Sequence, residues 1–330
     1  MAVNRECRVH EEVISGIQTV TLENALLRAQ ILTGKGADIY ALVYKPLAVD
    51  VLLKAGGGLA AFEHRNLAER RLKHYSELFT GGWQDCLPHR ARYLELDITQ
   101  DTGGIAATVP WAYEIVRSGG EAVSIRCLVR LPDVPFEVEK SFTLRQGEAQ
   151  LYIEQRIGNE GTAPVQFSWT QHAAFGGQFL DEHVSIEFPG GTAFHARQYD
   201  GSCREDGFSR FEEPIDRVTM PDGPSRDLRQ VPPRQAHEQI FTVITGIREP
   251  RVKLINREKK IGVQLEWELD AFPFIRYWSS NTPEMYTVGI EPSNDAFANF
   301  DHSLQHGTYR ELLPGQEYAT RYACRIFETC

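Results

Sequence analysis

The sequence lacks the cysteine patterns that mark a disulfide framework or a zinc site. Its six cysteines are scattered, and no two of them form a C-x-x-C pair. Cysteines placed this way are typical of reduced thiols in a packed core. The first residues have no apolar stretch of the signal-peptide kind, and no later run approaches the roughly 18 apolar residues that a membrane span requires. We therefore expect a cytoplasmic protein with no membrane partner.

The sequence also has fewer basic than acidic residues. The chain carries 35 Lys and Arg against 45 Asp and Glu, which gives a formal net charge of −10 at pH 7. Binding to a phosphate backbone needs clustered Lys and Arg, so nucleic acid is not expected as a partner. A neutral small molecule is compatible with this charge.

Several motifs that identify common enzyme classes are missing. There is no G-x-x-x-x-G-K-[ST] phosphate loop, no G-x-S-x-G nucleophile elbow and no H-E-x-x-H zinc motif. The ten histidines show no spacing typical of metal ligands. We therefore predict neither a nucleotide cofactor nor a metal. The sequence carries no signal of oligomeric state.

Strand patterns are abundant. Many short segments are rich in β-branched and aromatic residues, several of them alternate between apolar and polar positions, and Gly, Pro, Asn or Asp turns flank them. The predicted strands cover residues 26–32, 39–44, 122–131, 136–144, 150–157, 165–169, 239–246, 261–268, 274–279 and 318–327. They predict one large, mostly antiparallel, all-β structure. Neither a repeat nor a linker is visible, so residues 1–330 are expected to form a single domain.

Two regions depart from the strand pattern. Residues 59–78 place Leu67, Leu72 and Tyr75 among many charges, which predicts a short surface helix. Residues 200–237 are rich in Asp, Arg, Pro and Gly and predict a long excursion over the surface. Loops of that length often cover a functional site, and His237 and Glu238 at its edge could reach one.

The most informative segment ends in Glu291-Pro292. Val288 and Ile290 alternate with Gly289, as in a strand with one packed face, and the proline keeps Glu291 in an extended conformation. Glu291 is therefore the first candidate for a catalytic base. The alternative interpretation is that Glu-Pro only opens a surface turn.

Two further segments offer polar side chains beside aromatic rings. Residues 79–89 place Trp83, Gln84 and His89 after a glycine pair, a composition suited to wrapping a hydroxyl-rich ligand. The strand at 165–169 leads to His172, which is followed by small residues that would leave its ring accessible. In each case a packed indole or a hydrogen-bonded core histidine is the simpler structural alternative.

A third segment lies just upstream of Glu291. The strand at 274–279 presents Arg276 and Trp278 on one face. Both are candidates for ligand binding, although an arginine on a strand is often only a solvated or ion-paired residue.

Taken together, these elements resemble a known family. Trp169-Thr170-Gln171-His172, then Val288-Gly289-Ile290-Glu291-Pro292, then Leu313-Pro314-Gly315-Gln316-Glu317 before the last strand, occur in the order typical of aldose 1-epimerases, the galactose mutarotase-like proteins. The resemblance spans residues 24–327. It implies a β-supersandwich with few short helices and a sugar held on one face.

The resemblance also implies roles for individual residues. His172 occupies the position of the general acid, Glu291 that of the general base, and His89 is the best match to a second histidine that orients the sugar. The family's usual Asn-Arg segment ahead of that histidine is replaced here by residues 81–85, and the aspartate that typically contacts sugar hydroxyls has no counterpart. Trp83, Gln84, Arg276 and Trp278 are assigned to sugar binding.

The implied chemistry needs only an acid and a base. Interconversion of anomers removes the proton of the C1 hydroxyl and protonates the ring oxygen, so that the ring opens and recloses on the other face. Proton transfer of this kind contributes roughly 10² to 10⁴ in rate per group and demands no metal or cofactor. The expected substrate is thus a small sugar.

Two alternatives stay open from the sequence. A hexose 6-phosphate epimerase would hold its phosphate with arginines, for which Arg90, Arg92 and Arg276 are available. A non-catalytic carbohydrate-binding protein could use the same aromatic surface without any chemistry.

Overall fold

The computed structural model describes residues 7–56, 58–59, 79–94, 96–98, 104–198, 212–219, 225–296 and 300–329. The short helix predicted for 59–78 lies almost wholly outside these residues. Within the described part of the chain, no helix is both long enough and apolar enough to cross a membrane. Four cysteines in this part, Cys7, Cys86, Cys127 and Cys324, are free and buried.

The described residues form 22 strands and one α-helix. The strands are β1 Cys7–Ile14, β2 Ile17–Glu23, β3 Leu27–Leu32, β4 Asp38–Tyr44, β5 Val49–Asp50, β6 Trp83–Tyr93, β7 Leu96–Ile98, β8 Ala112–Gly120, β9 Ala122–Arg130, β10 Phe136–Arg145, β11 Gln150–Asn159, β12 Val165–Phe175, β13 Val184–Glu187, β14 Thr192–Gln198, β15 Glu212–Pro214, β16 Gln239–Thr245, β17 Arg251–Asn256, β18 Ile261–Trp267, β19 Phe274–Asn281, β20 Tyr286–Ser293, β21 Arg310–Leu312 and β22 Glu317–Glu328. The helix α1 is Phe300–His306, and short 3-10 turns lie at Lys45–Leu47, Ala106–Thr108 and Arg234–Ala236.

The prediction of an all-β structure is confirmed. Each of the ten predicted segments coincides with a strand, and the alternation that predicted them matches burial in the structure. In β10, for example, Val138, Phe142 and Leu144 are buried, whereas Glu137 and Glu139 are partly exposed. Alternation is diagnostic here because successive side chains of a strand point to opposite faces.

The strands pair into one continuous antiparallel ribbon. Its order is β13, β17, β18, β22, β11, β10, β9, β8, β1, β2, β3, β4, β6, β12, β20, β19, β16, β14 and β15. The short strands β5, β7 and β21 add to β4, β6 and β12. Two parts of the ribbon, around β6–β12–β20 and β10–β11–β22, pack against each other as two layers.

Aromatic rings fill much of the space between these layers. Phe136 and Phe167 meet edge to face with ring centroids 4.9 Å apart, and Trp83 lies 5.6 Å from Tyr322. All four side chains are buried. Large apolar rings that meet in this way supply much of the hydrophobic stabilisation of such a core.

A buried carboxylate also joins the layers. Asp85 Oδ1 accepts hydrogen bonds from Trp169 Nε1 at 2.6 Å and from Gln171 Nε2 at 3.0 Å. Its Oδ2 accepts a hydrogen bond from Gln155 and lies 3.5 Å from Lys140 Nζ. The side chains of Asp85 and Lys140 are fully buried, so the two charges compensate each other away from water.

Residues 212–219 and 225–237 of the predicted surface excursion are described in the structure. Residues of β15 pair with β14, and Val218, Leu228 and Val231 are buried in the main core. Glu238, just beyond, is bound by Arg226. Most residues of these two stretches are exposed or half-buried, and the three apolar side chains anchor them in the core.

Candidate active site

Two neighbouring strands bring His172 and Glu291 together. The antiparallel register of β12 and β20 pairs Ala174 with Gly289 and Thr170 with Ser293, which leaves His172 opposite Glu291. A hydrogen bond of 2.9 Å between the hydroxyls of Thr170 and Ser293 fixes this register. Residues opposite each other in such a pair point to the same face of the sheet.

The third strand of the site extends the same row. β19 pairs with β20 so that Arg276 lies opposite Glu291 and Trp278 lies opposite Gly289. One face of the sheet therefore carries His172, Glu291 and Arg276 side by side. The predicted pairing of Arg276 and Trp278 on a common face agrees with this register.

The acid and base candidates are in contact. His172 Nε2 lies 3.4 Å from Glu291 Oε1, and their side chains are 12% and 5% exposed. Burial raises the pKa of the Glu291 carboxyl above its ordinary value, while the nearby charges of His172 and Arg276 oppose that rise. The pair is thus largely shielded from solvent, yet the imidazole keeps a surface that a ligand can reach.

Two aromatic rings flank the imidazole. Phe79 meets the His172 ring edge to face at 5.2 Å between centroids, and the tilted Trp278 ring lies at 5.7 Å. Phe79 and Trp278 are themselves 6.1 Å apart, and both are only partly buried. Partly exposed aromatic rings beside a polar pair offer apolar faces to the C–H groups of a sugar.

His89 lies near the same charged groups. Burial is the main reason that the pKa of His89 lies well below its ordinary value. The nearby positive charges of Arg276, Arg90 and His172 lower this pKa further. Its Nδ1 is buried and makes no hydrogen bond to the described residues. The residue as a whole is half-buried, so its neutral ring lies at the border between the core and the surface of the site.

Trp83 lies on the face of β6 that points away from His172. Its side chain is 1% exposed, its Nε1 donates to Gln171 Oε1 at 3.0 Å, and its ring packs in the core between the layers. This placement leaves Trp83 no surface for the predicted sugar contact. The cause is the alternation of β6, which turns Trp83 and Asp85 inward together.

Gln84 lies on the same face of the sheet as His172, but its side chain is buried and hydrogen-bonded to another residue. It lies opposite His172 in the β6–β12 pairing and is fully buried. Its Nε2 donates to Asp38 Oδ2 at 3.1 Å, and Asp38 is also paired with the buried Lys35. The Gln84 side chain thus lies beneath the site and has no surface that a ligand could contact.

The glycine pair ahead of these residues lies close against neighbouring backbone. Gly81 and Gly82 have φ angles of +84° and +83°, and a Cβ at either would lie within 2.4 Å of a backbone oxygen, of Leu53 or of Ile39. Only glycine fits so close an approach in this conformation. The pair therefore serves the packing of β6 against its neighbours.

Sequence reasoning missed three contributors to the site. They are Phe79, at the start of the predicted 79–89 segment, and the buried pair Asp295 and Ser303. Arg276 Nη2 donates to Asp295 Oδ2 at 3.0 Å, and Ser303 in α1 donates to the other oxygen of Asp295. The run Ser293-Asn294-Asp295 directly after the Glu-Pro strand was the available signal, since polar residues at strand ends often serve a site.

Other parts of the described structure are weaker candidates for a functional site. A cavity of about 360 Å³ lies over β10, β11 and β22 in the other layer. Four of its charged side chains pair with each other: Arg156 with Glu139 at 3.5 Å and Arg321 with Glu154 at 3.2 Å. Among the described residues, no three His, Cys, Asp or Glu side chains gather as metal ligands. The His172–Glu291 pair is the stronger candidate.

Solved structures of similar fold carry related descriptions. A galactose mutarotase-like protein from Clostridium acetobutylicum has a TM-score of 0.70 at 11% identity and covers 99% of this chain and 100% of its own. A proposed aldose 1-epimerase from Klebsiella pneumoniae subsp. pneumoniae has a TM-score of 0.70 at 13% identity and covers 97% and 83%. A galactose mutarotase-related enzyme from Lactobacillus acidophilus has a TM-score of 0.63 at 14% identity and covers 94% and 98%.

At these identities the similarity shows the fold, which is that of galactose mutarotase-like proteins, as predicted. Comparison with curated proteins gave no significant match. A family model described as "Domain of unknown function (DUF4432)" matches residues 106–326, which is more than half of the chain and includes His172 and Glu291. The chain therefore belongs to the DUF4432 family.

Proposed function

We propose that this protein interconverts the anomers of a sugar, with Glu291 as general base and His172 as general acid. The observation that supports this proposal is the contact between the two side chains, 3.4 Å apart on adjacent strands and distant in sequence. Fold similarity alone would be compatible with many activities.

The spacing of the pair suits the reaction. The oxygen that loses a proton and the oxygen that gains one are both bonded to the anomeric carbon, so they are close to each other. An acid and a base need heavy-atom distances of roughly 2.6–3.2 Å to their targets. Two groups in contact can therefore serve both oxygens of one ring, and rotation about C1–C2 in the open form completes the exchange.

The surroundings of the pair supply binding groups. Phe79 and Trp278 offer apolar faces, and the half-buried His89 lies near His172. Arg276 lies beside the base with its guanidinium on Asp295. Trp83 and Gln84 are not part of the proposed binding surface, because both are buried in other contacts.

The sugar-phosphate alternative has less support. Arg92 already forms ion pairs with Asp97 at 2.7 Å and Asp301 at 2.8 Å, and Arg276 is paired with Asp295. Two of the three candidate arginines are thus neutralised by carboxylates. A non-catalytic sugar-binding role would not require an acid and a base in contact.

The proposal is tested by anomer exchange on the wild-type protein. Optical rotation after dissolving a pure anomer, and NMR saturation transfer between anomeric protons, would be measured for a panel of aldoses and one hexose 6-phosphate. We expect faster exchange than in buffer for a free aldose. Binding of aldoses in saturation-transfer difference NMR without any acceleration would instead indicate a carbohydrate-binding protein, and acceleration of the 6-phosphate alone would indicate the phosphate-specific enzyme.

Gly289 gives a prediction about the position of the base. A Cβ at this residue would lie 2.6 Å from Glu291 Oε1 and 3.3 Å from the Trp278 ring. We expect Gly289→Ala to push the carboxylate from its place and to lower anomer exchange by roughly 10²-fold, since misplacement of about 1 Å can have that effect. Optical rotation measures the loss, and the melting temperature reports on folding.

Gly158→Ala in β11 is the matched control for this variant. The nearest atom to its added Cβ is 3.6 Å away, at the end of the exposed Glu160 side chain. We expect wild-type exchange from the control. Equal exchange rates in Gly289→Ala and the wild type would show that the position of the carboxylate does not depend on the absence of a side chain at Gly289.

A further inference from the structure

Arg276 has a place in the site that sugar binding does not explain. It lies directly across from Glu291 in the β19–β20 pairing, and only 5% of the residue is exposed. Its Nη2 points to Asp295, 3.0 Å away, and not towards solvent. Arginine recognises a ligand through its guanidinium N–H donors, and this donor faces a buried carboxylate instead.

Asp295 in turn is held by the helix that follows β20. Its Oδ2 accepts from Arg276, and its Oδ1 accepts from the hydroxyl of Ser303 in α1. Both Asp295 and Ser303 are fully buried. Glu291, Arg276 and Asp295 thus form a row of alternating negative and positive charge that ends on a helix hydroxyl.

Such a row has opposing effects on the carboxyl of Glu291. Burial raises the pKa of Glu291, and the charge of Arg276 lowers it. The negative charge of Asp295 offsets part of the charge on Arg276, because oppositely charged neighbours weaken each other's field. A base needs this balance: a carboxylate that stays protonated cannot accept a proton, and one that is stabilised too strongly accepts it poorly.

We infer that the Arg276–Asp295–Ser303 chain sets the ionisation of Glu291, which makes Arg276 a positioning residue of the base and not a sugar ligand. This inference rests on the proposed function for its catalytic meaning. Its physical content, the charge state of one carboxyl, is independent of whether any sugar is turned over.

The other groups that face Glu291 come from two neighbouring strands. His172 contacts it from β12, and Cys86 in β6 lies close enough for the charge of Glu291 to raise the pKa of the thiol further, beyond the effect of burial. A titration of Glu291 therefore includes the effect of His172. Each variant below leaves His172 and Cys86 unchanged, so differences between variants report on Arg276 and Asp295.

The experiment follows the side-chain carboxyl of Glu291 by ¹³C NMR in protein labelled at glutamate, with Glu291→Gln to assign the signal. Arg276→Gln removes the positive charge, Arg276→Lys keeps it, and Asp295→Asn removes the opposing negative charge. We expect the midpoint of the Glu291 titration to rise in Arg276→Gln, to stay near the wild-type value in Arg276→Lys and to fall in Asp295→Asn. An opposite charge within about 4–6 Å moves a carboxyl pKa by roughly 1–3 units, a shift that this titration resolves.

The pH profile of anomer exchange is the second readout. On its acidic limb, Arg276→Gln should lose about tenfold in rate for each unit that the Glu291 midpoint rises, and Asp295→Asn should gain rate there. A sugar ligand lost at Arg276 would instead raise KM at every pH.

Each outcome decides the inference. Equal Glu291 midpoints in Arg276→Gln and Arg276→Lys would overturn it, as would a wild-type Glu291 that is still protonated at pH 7. If Arg276→Gln does not fold, the inference is decided by Asp295→Asn, in which the Glu291 midpoint must fall. A protein without anomer exchange but with the expected NMR shifts would refute the proposed function and leave the inference standing.

Discussion

Glu291→Gln is expected to lose anomer exchange by roughly 10² to 10⁴, because the amide keeps the shape of the side chain and cannot accept the proton of the C1 hydroxyl. The fold should survive, since removing the charge of a carboxyl whose pKa burial has raised also removes a desolvation cost. Sugar binding should survive as well, because Phe79, Trp278 and His89 are unchanged. Optical rotation measures the rate, and saturation-transfer difference NMR measures binding.

His172→Asn is expected to cause a loss of similar size for the complementary reason. Asparagine keeps a donor in place but cannot release a proton to the ring oxygen. Because acid and base act on the same ring in one reaction, the double variant should lose little more than either single variant. Strictly additive losses would indicate that the two side chains act independently and would contradict the paired mechanism.

The chain supplies a matched control for this pair. His183 and Glu258 form another His–Glu contact, 3.1 Å long, with side chains that are 50% and 67% exposed. His183→Asn and Glu258→Gln make the same chemical changes at the surface, and we expect full anomer exchange from both. Wild-type rates in Glu291→Gln or His172→Asn would remove that residue from the mechanism.

The all-β class and ten of the 22 described strands could be predicted from local pattern. Strand alternation and turn residues predicted ten strands because burial on one face imposes a period of two on the sequence. Strand β6 was not among them for a physical reason: Pro88 is a poor strand residue, and it is tolerated inside β6 because the pairing with β12 is irregular near Pro88.

The candidate site was predictable only in part. The Glu-Pro strand and the strand ending at His172 pointed to the two reactive side chains through a family resemblance. The direction of Trp83 depends on where the alternation of β6 begins, and the roles of Asp295 and Ser303 depend on a contact between a strand end and a helix. Neither is encoded in a short stretch of sequence, because both are set by packing between distant segments.

Asp85→Ala is expected to have the largest effect on stability. The buried charge of Lys140 would lose its carboxylate partner, and the donors of Trp169, Gln171 and Gln155 would lose their acceptor. Removing one partner of a buried ion pair destabilises a protein by about 3–5 kcal/mol. We therefore expect the free energy of unfolding, measured by urea denaturation, to fall by about that amount.

Asp270→Ala and a charge-free double variant separate the possible causes of that loss. Asp270 accepts from Arg310 at 3.4 Å with its own side chain 87% exposed, and its removal should change stability by at most about 1 kcal/mol. In Asp85→Leu with Lys140→Met, both buried charges are gone, and apolar groups of similar size fill the space. If the loss in Asp85→Ala comes from an uncompensated charge, this double variant should recover much of it. If it comes from the orphaned donors of Trp169 and Gln171, the double variant should remain nearly as unstable, because those donors still lack an acceptor.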